Sequence, residues 1–373
     1  MRATTLGLTF VPFALHAAAE DCSCGYSVNS TNATYFGLFT QKIENDFVHS
    51  ASDVTWDSTP GPDWQAQEYN VPPPEARGLY GKAAQPRNVN FNVLPPGSTG
   101  GNGTLGGDPG LQLWTRSELV SESDGQYIPM AEIVTAQKDI LYGSFRVGMK
   151  TTAINGTCGA WFFYHNNSQE IDMEVLSKDR STKMGWPVNL VNQSPQSVAS
   201  GYNARNTSGF LDWYLTIDPK VLYTEFRMDW LPDRIDWYAN GQLLATFRDN
   251  IPTAAGALHL IHWSNGDPFW SGGPPEEDAV LTVAYVNAYF NTTSQAPQSA
   301  ACGPGQLTEE NTCNIISATS PPQQPNVAHP GSAPEPLRPS NSAATVSRAR
   351  VWFTCGGIFG GTIVLTLLGC SFF

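Results

Sequence analysis

The residues best suited to chemistry lie in one short acidic segment, between Ser168 and Leu176. Apolar and acidic residues alternate there, and successive side chains of a β-strand point to opposite faces. A strand would therefore present Glu170, Asp172 and Glu174 on one face and direct the intervening apolar residues into a core. Three neighbouring carboxylates repel one another and force their pKa values apart, so the arrangement adds no stability to a strand.

Cleavage of glycosidic bonds is the chemistry that such a set of carboxyl groups favours. One carboxylate acts as nucleophile or base, a second carboxyl group acts as acid, and a third between them can keep one of the pair protonated. Two non-catalytic interpretations stay open for the segment alone: an acidic face exposed to water, and a calcium site. Residues i and i+4 lie about 13 Å apart along a strand, whereas retention requires carboxyl groups about 5–5.5 Å apart. Spacing alone therefore leaves retention and inversion open.

The rest of the chain predicts a β-protein around this segment. From roughly residue 22 to residue 293, short runs rich in Val, Ile, Phe, Tyr and Trp alternate with Gly, Pro, Asn and Asp turns, and long stretches of helical periodicity are absent. This pattern is typical of an all-β sandwich or barrel. The pair Asn240–Gly241 predicts a hairpin because both residues tolerate positive φ. Predicted strands include 143–150, 160–164, 171–176, 225–230, 234–238 and 280–290.

Four segments together resemble the family 16 glycoside hydrolases. Glu170 to Glu174 is similar to that family's Glu-x-Asp-x-Glu catalytic strand, and 160–163 resembles the strand before it. Glu225 to Gly241 resembles the family's two strands with a hairpin, and Val280 to Phe290 its closing strand. Order and spacing agree over roughly residues 110 to 293. The fungal cell-wall branch of the family includes glucanases and chitin–glucan transglycosylases.

The resemblance implies both a fold and a set of roles. The implied fold is a concanavalin A-like β-jelly-roll sandwich of two antiparallel sheets with a cleft on one face. The implied mechanism is retaining. Glu170 aligns with the nucleophile, Glu174 with the acid/base, and Asp172 with the residue that tunes the pair.

Aromatic side chains supply candidates for substrate binding. Aromatic faces pair with the apolar face of a sugar ring, and we predict this role for Trp161, Trp186, Trp263 and Trp270. For Trp161 a core position is an equal alternative. His262, next to Trp263, is a candidate polar contact.

Charge and cysteine spacing restrict the partners. The formal net charge is −13 and charged residues make up 14% of the chain, which argues against a nucleic-acid partner because such a partner needs a basic surface. An anionic polysaccharide is disfavoured because its charges and the net negative charge of the protein repel each other, whereas a neutral polysaccharide is not disfavoured. No Cys/His arrangement has zinc-site spacing. We expect a monomer with no metal and no cofactor.

Both ends of the chain predict export and anchoring. A positive residue, an apolar run and small residues make residues 1–19 a secretory signal peptide, ahead of a catalytic domain at 20–293. Residues 294–350 form a Cys-containing, then Pro/Ser/Ala-rich segment that reads as a disordered stalk. Residues 351–373 carry no charge. They predict a glycosylphosphatidylinositol (GPI) anchor signal, with a retained transmembrane helix as the alternative. The expected location is the cell surface or cell wall.

Sequons and cysteines agree with an oxidising compartment. Eight Asn-x-Ser/Thr sequons predict a glycoprotein; they lie at Asn29, Asn32, Asn102, Asn155, Asn166, Asn192, Asn206 and Asn291. Disulfides are plausible outside the cell. Cys302 and Cys313 are close enough in sequence to close a small loop, but the remaining connectivity among Cys22, Cys24 and Cys158 stays open.

These observations predict a retaining, endo-acting β-glycosidase of neutral cell-wall polysaccharide, most simply β-1,3(4)-glucan. The first alternative is a transglycosylase that crosslinks chitin and glucan through the same covalent intermediate. The second alternative is a non-catalytic, carbohydrate-binding surface glycoprotein.

Overall fold

A computed structural model of the protein describes residues 25–28, 37–56, 62–294 and 312–315. The predicted signal peptide, most of the predicted stalk and the apolar tail lie outside these residues. Within the described residues, no helix combines the length and the apolar character needed to cross a membrane.

The described residues form 22 strands and two short α-helices. The helices are α1 (Pro73–Ala76) and α2 (Pro195–Ala199), and a 3₁₀ turn spans Pro86–Asn88. The strands are β1 (Tyr26–Val28), β2 (Gly37–Phe39), β3 (Gln41–Asp46), β4 (Val54–Thr55), β5 (Trp64–Ala66), β6 (Tyr69–Val71), β7 (Gly81–Ala84), β8 (Val89–Asn92), β9 (Gly110–Thr115), β10 (Val120–Glu122), β11 (Gly125–Thr135), β12 (Ile140–Lys150), β13 (Cys158–Asn166), β14 (Gln169–Leu176), β15 (Trp186–Gln193), β16 (Phe210–Leu215), β17 (Thr224–Leu231), β18 (Arg234–Ala239), β19 (Gln242–Phe247), β20 (Ala257–Trp263), β21 (Ala279–Thr292) and β22 (Cys313–Asn314).

Most of the strands belong to two large sheets. The larger has eleven strands, in the order β16-β15-β14-β13-β20-β11-β5-β4 with β6, β7 and β10 off that path. The other has eight, in the order β19-β18-β17-β12-β21-β9-β8 with β3 paired to β21. Pairing is antiparallel except at β4–β5, β7–β11 and β1–β22. The predicted antiparallel two-sheet β-sandwich is confirmed.

The main core lies between the two sheets. It contains Met173 of the larger sheet together with Phe145 of the smaller one, both fully buried. Phe163 and Trp230 meet across the interface, with ring centroids 4.2 Å apart. Each predicted strand falls inside an observed one. The predicted hairpin is also present, because Asn240 and Gly241 adopt positive φ between β18 and β19.

Candidate active site

Strand β14 places three carboxyl groups on the outer face of the larger sheet. Ile171, Met173 and Val175 point inward and belong to the main core, as the alternation predicts. Glu170, Asp172 and Glu174 therefore share the opposite face, which we call the carboxyl face. Asp172 is only 6% exposed and the two glutamates are half-buried, so this acidic face is recessed from water.

Glu170 and Asp172 form a hydrogen-bonded pair. Burial raises the pKa of Glu170, and the hydrogen bond with Asp172 opposes that rise. Burial, together with repulsion from Glu170 and Glu174, raises the pKa of Asp172 well above its ordinary value. Protonated Asp172 thus donates to ionised Glu170, and the pair shares one proton.

Glu174 is held by two donors that come from different parts of the fold. The Cys158 thiol donates to Glu174 Oε1 over 3.3 Å, and the Trp270 indole N–H donates to the same oxygen over 3.4 Å. Burial raises the pKa of Glu174 to about 7, aided by repulsion from Glu170 and opposed by the two hydrogen bonds. Cys158 is a free, buried cysteine. Burial and Glu174 raise the pKa of its thiol, so it stays protonated and donates.

A second polar network lies next to the pair. Glu132 of β11 accepts a hydrogen bond from His259 Nδ1 of β20, with 2.6 Å between the two atoms. It also accepts one from the Tyr69 hydroxyl of β6. These residues were missed in the sequence. The signal that the sequence offers is the alternation around His259. This residue lies between Leu258 and Leu260, whose side chains enter the main core, so its own side chain points to the opposite face.

Trp263 and Trp270, both predicted as substrate contacts, lie on or above the carboxyl face. Trp263 ends β20 directly opposite Cys158, and its ring lies 4.7 Å from the Lys82 ammonium. Burial lowers the pKa of Lys82, while the charges of Glu132 and Glu170 oppose that change. Lys82 was also missed, because β7 reaches this face only through its pairing with β11.

Three predicted substrate contacts are corrected. Trp161 is 0% exposed in the main core, because its side of β13 faces the other sheet. Trp186 lies on the core side of β15, packed against that core, with the Lys220 ammonium 4.7 Å from its ring. His262 is fully buried and contacts the Leu113 carbonyl and Thr157 Oγ1, each at 2.9 Å. Burial lowers its pKa to about 4, so it is a neutral structural link between the sheets.

A shallow cavity of about 290 Å³ adjoins the second network. Its lining includes His259, Tyr164, Lys138 and Gln67. Among the described residues, no group of three or more His, Cys, Asp or Glu side chains could hold a metal ion. Cys313 is disulfide-bonded, whereas Cys22, Cys24 and Cys302 lie outside the described residues.

Comparison with known proteins places this site in a family. The family model "Glycosyl hydrolases family 16" matches residues 108–285. The chain therefore contains a glycosyl hydrolase family 16 domain, which confirms the resemblance drawn from the acidic strand and its neighbours.

The relatives are distant and longer than the matched part. A beta-glucanase of Bacillus subtilis is 28% identical over 138 residues, covering 35% of this chain and 51% of the enzyme. The Crh-like protein UTR2 of Candida albicans is 23% identical over 159 residues, covering 38% of this chain and 31% of that protein. The chain thus spans about half the length of the beta-glucanases it matches.

Solved structures of several glycoside-acting enzymes align with this chain at low identity. A lichenase from a mouse hindgut metagenome aligns with a TM-score of 0.47 and 18% identity, covering 67% of this chain and 99% of that one. The Crh5 transglycosylase in its apo form aligns with a TM-score of 0.43 and 17% identity, covering 70% and 87%.

Proposed function

We propose that this protein is a retaining, endo-acting β-glycosidase of neutral β-glucan, with β-1,3(4)-glucan as its substrate. The observation that carries the proposal is the placement of three carboxyl groups, those of Glu170, Asp172 and Glu174, on one recessed strand face. Burial and repulsion raise the pKa of Asp172 and favour its protonated form, the hydrogen bond from Asp172 favours the ionised form of Glu170, and burial raises the pKa of Glu174 to about 7. A retaining glycosidase needs an ionised nucleophile beside a protonated acid.

The proposed reaction has two displacements. The Glu170 carboxylate attacks the anomeric carbon while the Glu174 carboxyl group gives its proton to the departing glycosidic oxygen, leaving a glycosyl ester on Glu170. Water then attacks the same carbon as Glu174 takes the proton back, and the ester bond breaks. Cys158 and Trp270 both contact Oε1 of Glu174. The other oxygen of Glu174 is therefore the one assigned to proton transfer.

The substrate assignment rests on charge and on the relatives. A net charge of −13 and a face with several carboxyl groups disfavour an anionic glycan. The matched relatives include beta-glucanases from several bacteria. Trp263 and Trp270 are the proposed sugar-stacking side chains.

Transfer to a second sugar chain is the alternative outcome of the same first step. A sugar hydroxyl in place of water would intercept the glycosyl ester and join two chains. The resemblance to the fungal cell-wall branch of the family supports this candidate, with chitin as the acceptor, and a Crh-like protein of Candida albicans is among the relatives. A non-catalytic binding module is the weaker alternative, because all three carboxyl groups are retained.

One set of incubations separates these candidates. Purified protein is incubated with laminarin, lichenan and chitin oligomers, and product lengths are measured. Shorter products indicate hydrolysis, longer ones transfer, and binding without any product indicates the binding module.

Variants then test the roles. Glu170→Gln should abolish turnover of every substrate, while Glu174→Ala should keep some activity on an activated aryl glycoside and recover with azide, which needs no general base. Glu225→Gln is the matched control, since Glu225 accepts a Tyr285 hydroxyl on the other sheet (2.7 Å). Near-normal activity of Glu170→Gln would refute the assignment.

We further propose that the protein is a secreted, N-glycosylated, GPI-anchored monomer at the cell surface. Four sequon asparagines are exposed, Asn102, Asn155, Asn166 and Asn206. Asn192 is fully buried and donates to two backbone carbonyls, so we exclude it as a glycan site. A mass unchanged by enzymatic deglycosylation would contradict glycosylation.

The anchor is tested separately. Phosphatidylinositol-specific phospholipase C should release the protein from cells. Recovery of peptides from 351–373 in the mature protein would instead establish a retained helix.

A further inference from the structure

Three side chains that the proposed reaction does not use form a fixed chain beside Glu170. The Tyr69 hydroxyl donates to one carboxylate oxygen of Glu132, and His259 Nδ1 donates to the other over 2.6 Å. Glu132 is 4% exposed. A carboxylate this deeply buried is retained in a fold only when it is paired and hydrogen-bonded.

The imidazole of His259 is held on further sides. Its ring stacks on Phe162, with centroids 4.6 Å apart and planes 24° apart. The Tyr164 ring meets the imidazole edge-on, with ring centroids 5.8 Å apart and ring planes 76° apart. In the sheet, His259 pairs with Phe162, and Phe162 pairs with Asp172. His259 therefore lies two strands away from the carboxyl pair, on the same face.

We propose that His259, oriented by Glu132, is a positioning residue for the nucleophile: its imidazolium charge stabilises the ionised carboxylate of Glu170. This inference rests on the proposed nucleophilic role of Glu170. Burial raises the pKa of Glu170, and after the hydrogen bond from Asp172 the charge of His259 is the next influence that lowers it.

Other charged and titratable groups face this cluster and do not replace His259. Arg77 and Lys82 act on Glu170 in the same direction, but each has a smaller effect than His259. Glu132 is also approached by Lys82 and Lys138, whose pKa values it raises against the effect of burial. Tyr164 lies beside Glu170, which together with burial raises the pKa of its phenol.

The two partners should affect the pH profile with opposite signs. His259→Gln removes the positive charge and leaves the Glu132 carboxylate unopposed, so Glu170 should ionise less readily. The acid limb of kcat/KM should then move to higher pH. Glu132→Gln removes the negative charge that lies beside His259, so Glu170 should ionise more readily and the limb should move to lower pH.

The size of the shift follows from the sheet. Two strand spacings of about 4.8 Å separate β14 from β20, and Glu170 lies two residues, or about 6.8 Å, along β14 from the position opposite His259, which puts the charges about 12 Å apart. At an effective dielectric constant near 20, that interaction amounts to about one pH unit for His259→Gln. The shift in the acid limb should become smaller at higher salt concentration, because salt screens charges that water can reach.

The test measures kcat/KM on a glucan that the wild type cleaves, from about pH 3 to pH 9, for wild type, His259→Gln, Glu132→Gln and the control Glu225→Gln. Near-ultraviolet circular dichroism verifies that each variant is folded. If His259→Gln or Glu132→Gln is not folded, the direction in which the acid limb moves in the other variant decides the test. An upward shift for His259→Gln without one for Glu132→Gln or Glu225→Gln supports the proposal.

Losses of kcat at all pH values without movement of the acid limb would overturn the proposal, as would equal shifts in both variants. These results would mean that the network only supports the fold. The proposed function would survive them, because it depends on wild-type activity and on its loss in Glu170→Gln.

Discussion

The pKa of Glu174 makes a prediction about stability that does not depend on the substrate. Burial, with repulsion from Glu170, raises this pKa from 4.5 to about 7 in the folded protein. The folded state therefore binds the proton more tightly than the unfolded chain does. Stability from this group is fully present below the unfolded pKa near 4.5 and is lost as pH rises through about 7. Glu174→Gln removes the titration, and its amide oxygen can still accept from Cys158 and Trp270.

The magnitude follows from the shift. A rise of 2.5 units (7 minus 4.5) at about 1.36 kcal/mol per unit gives about 3 kcal/mol. Relative to wild type, Glu174→Gln should thus gain about 3 kcal/mol in unfolding free energy between pH 4 and pH 8. Relief of repulsion on Asp172, whose pKa Glu174 raises, acts in the same direction.

Urea unfolding of both proteins at pH 4, 5, 6, 7 and 8 measures this difference, with equal m-values required for the comparison. Glu277→Gln serves as control, because Glu277 is an exposed carboxylate in a loop. A Glu174→Gln difference that stays constant with pH, as expected for the control, would show that Glu174 titrates like an exposed glutamate. It would then not be poised as an acid near neutral pH.

Three further outcomes follow from the site and the core. Trp270→Phe removes a donor that lowers the pKa of Glu174, so the basic limb of kcat/KM should move to higher pH; an unmoved limb would mean that the 3.4 Å contact is not kept in solution. Asp172→Asn keeps an N–H donor and should cost less than the roughly 100-fold that loss of an active-site donor costs elsewhere, well short of a complete loss of turnover. Trp161→Ala should lower unfolding free energy by about 3–5 kcal/mol, whereas Trp263→Ala should cost less stability and raise KM for glucan; equal effects would contradict their assignment to opposite sides of the larger sheet.

Local sequence is sufficient to predict which side chains face the core wherever a strand has one apolar and one polar face. In β14 the period of two separates Ile171 and Met173 from Glu170 and Asp172 without ambiguity, because burying carboxylates in the main core would be far too costly. The hairpin at Asn240–Gly241 was equally local, since it depends only on residues that tolerate positive φ. The sequence therefore predicts both the acidic strand and the β-sandwich.

Local sequence fails where both faces of a strand are apolar. In β13, Trp161 and Phe163 enter the main core, while Ala160 and Phe162 belong to a second apolar cluster on the carboxyl face. Alternation then gives no reason to choose a side, and Trp161 was assigned to substrate binding as readily as to the core. His262 was misassigned for the same kind of reason, because its partner Leu113 lies 149 residues away in the chain.

The contacts between distant segments were decided by tertiary structure alone. Cys158 and Trp270 meet at Glu174 from positions 16 and 96 residues away, and His259 reaches Glu132 across 127 residues. These meetings depend on the strand order β14-β13-β20-β11. That order is set by packing across the whole sandwich and leaves no periodic trace in any one segment. The sequence by itself determined which carboxyl groups share a face, and only the fold determined which donors and charges surround them.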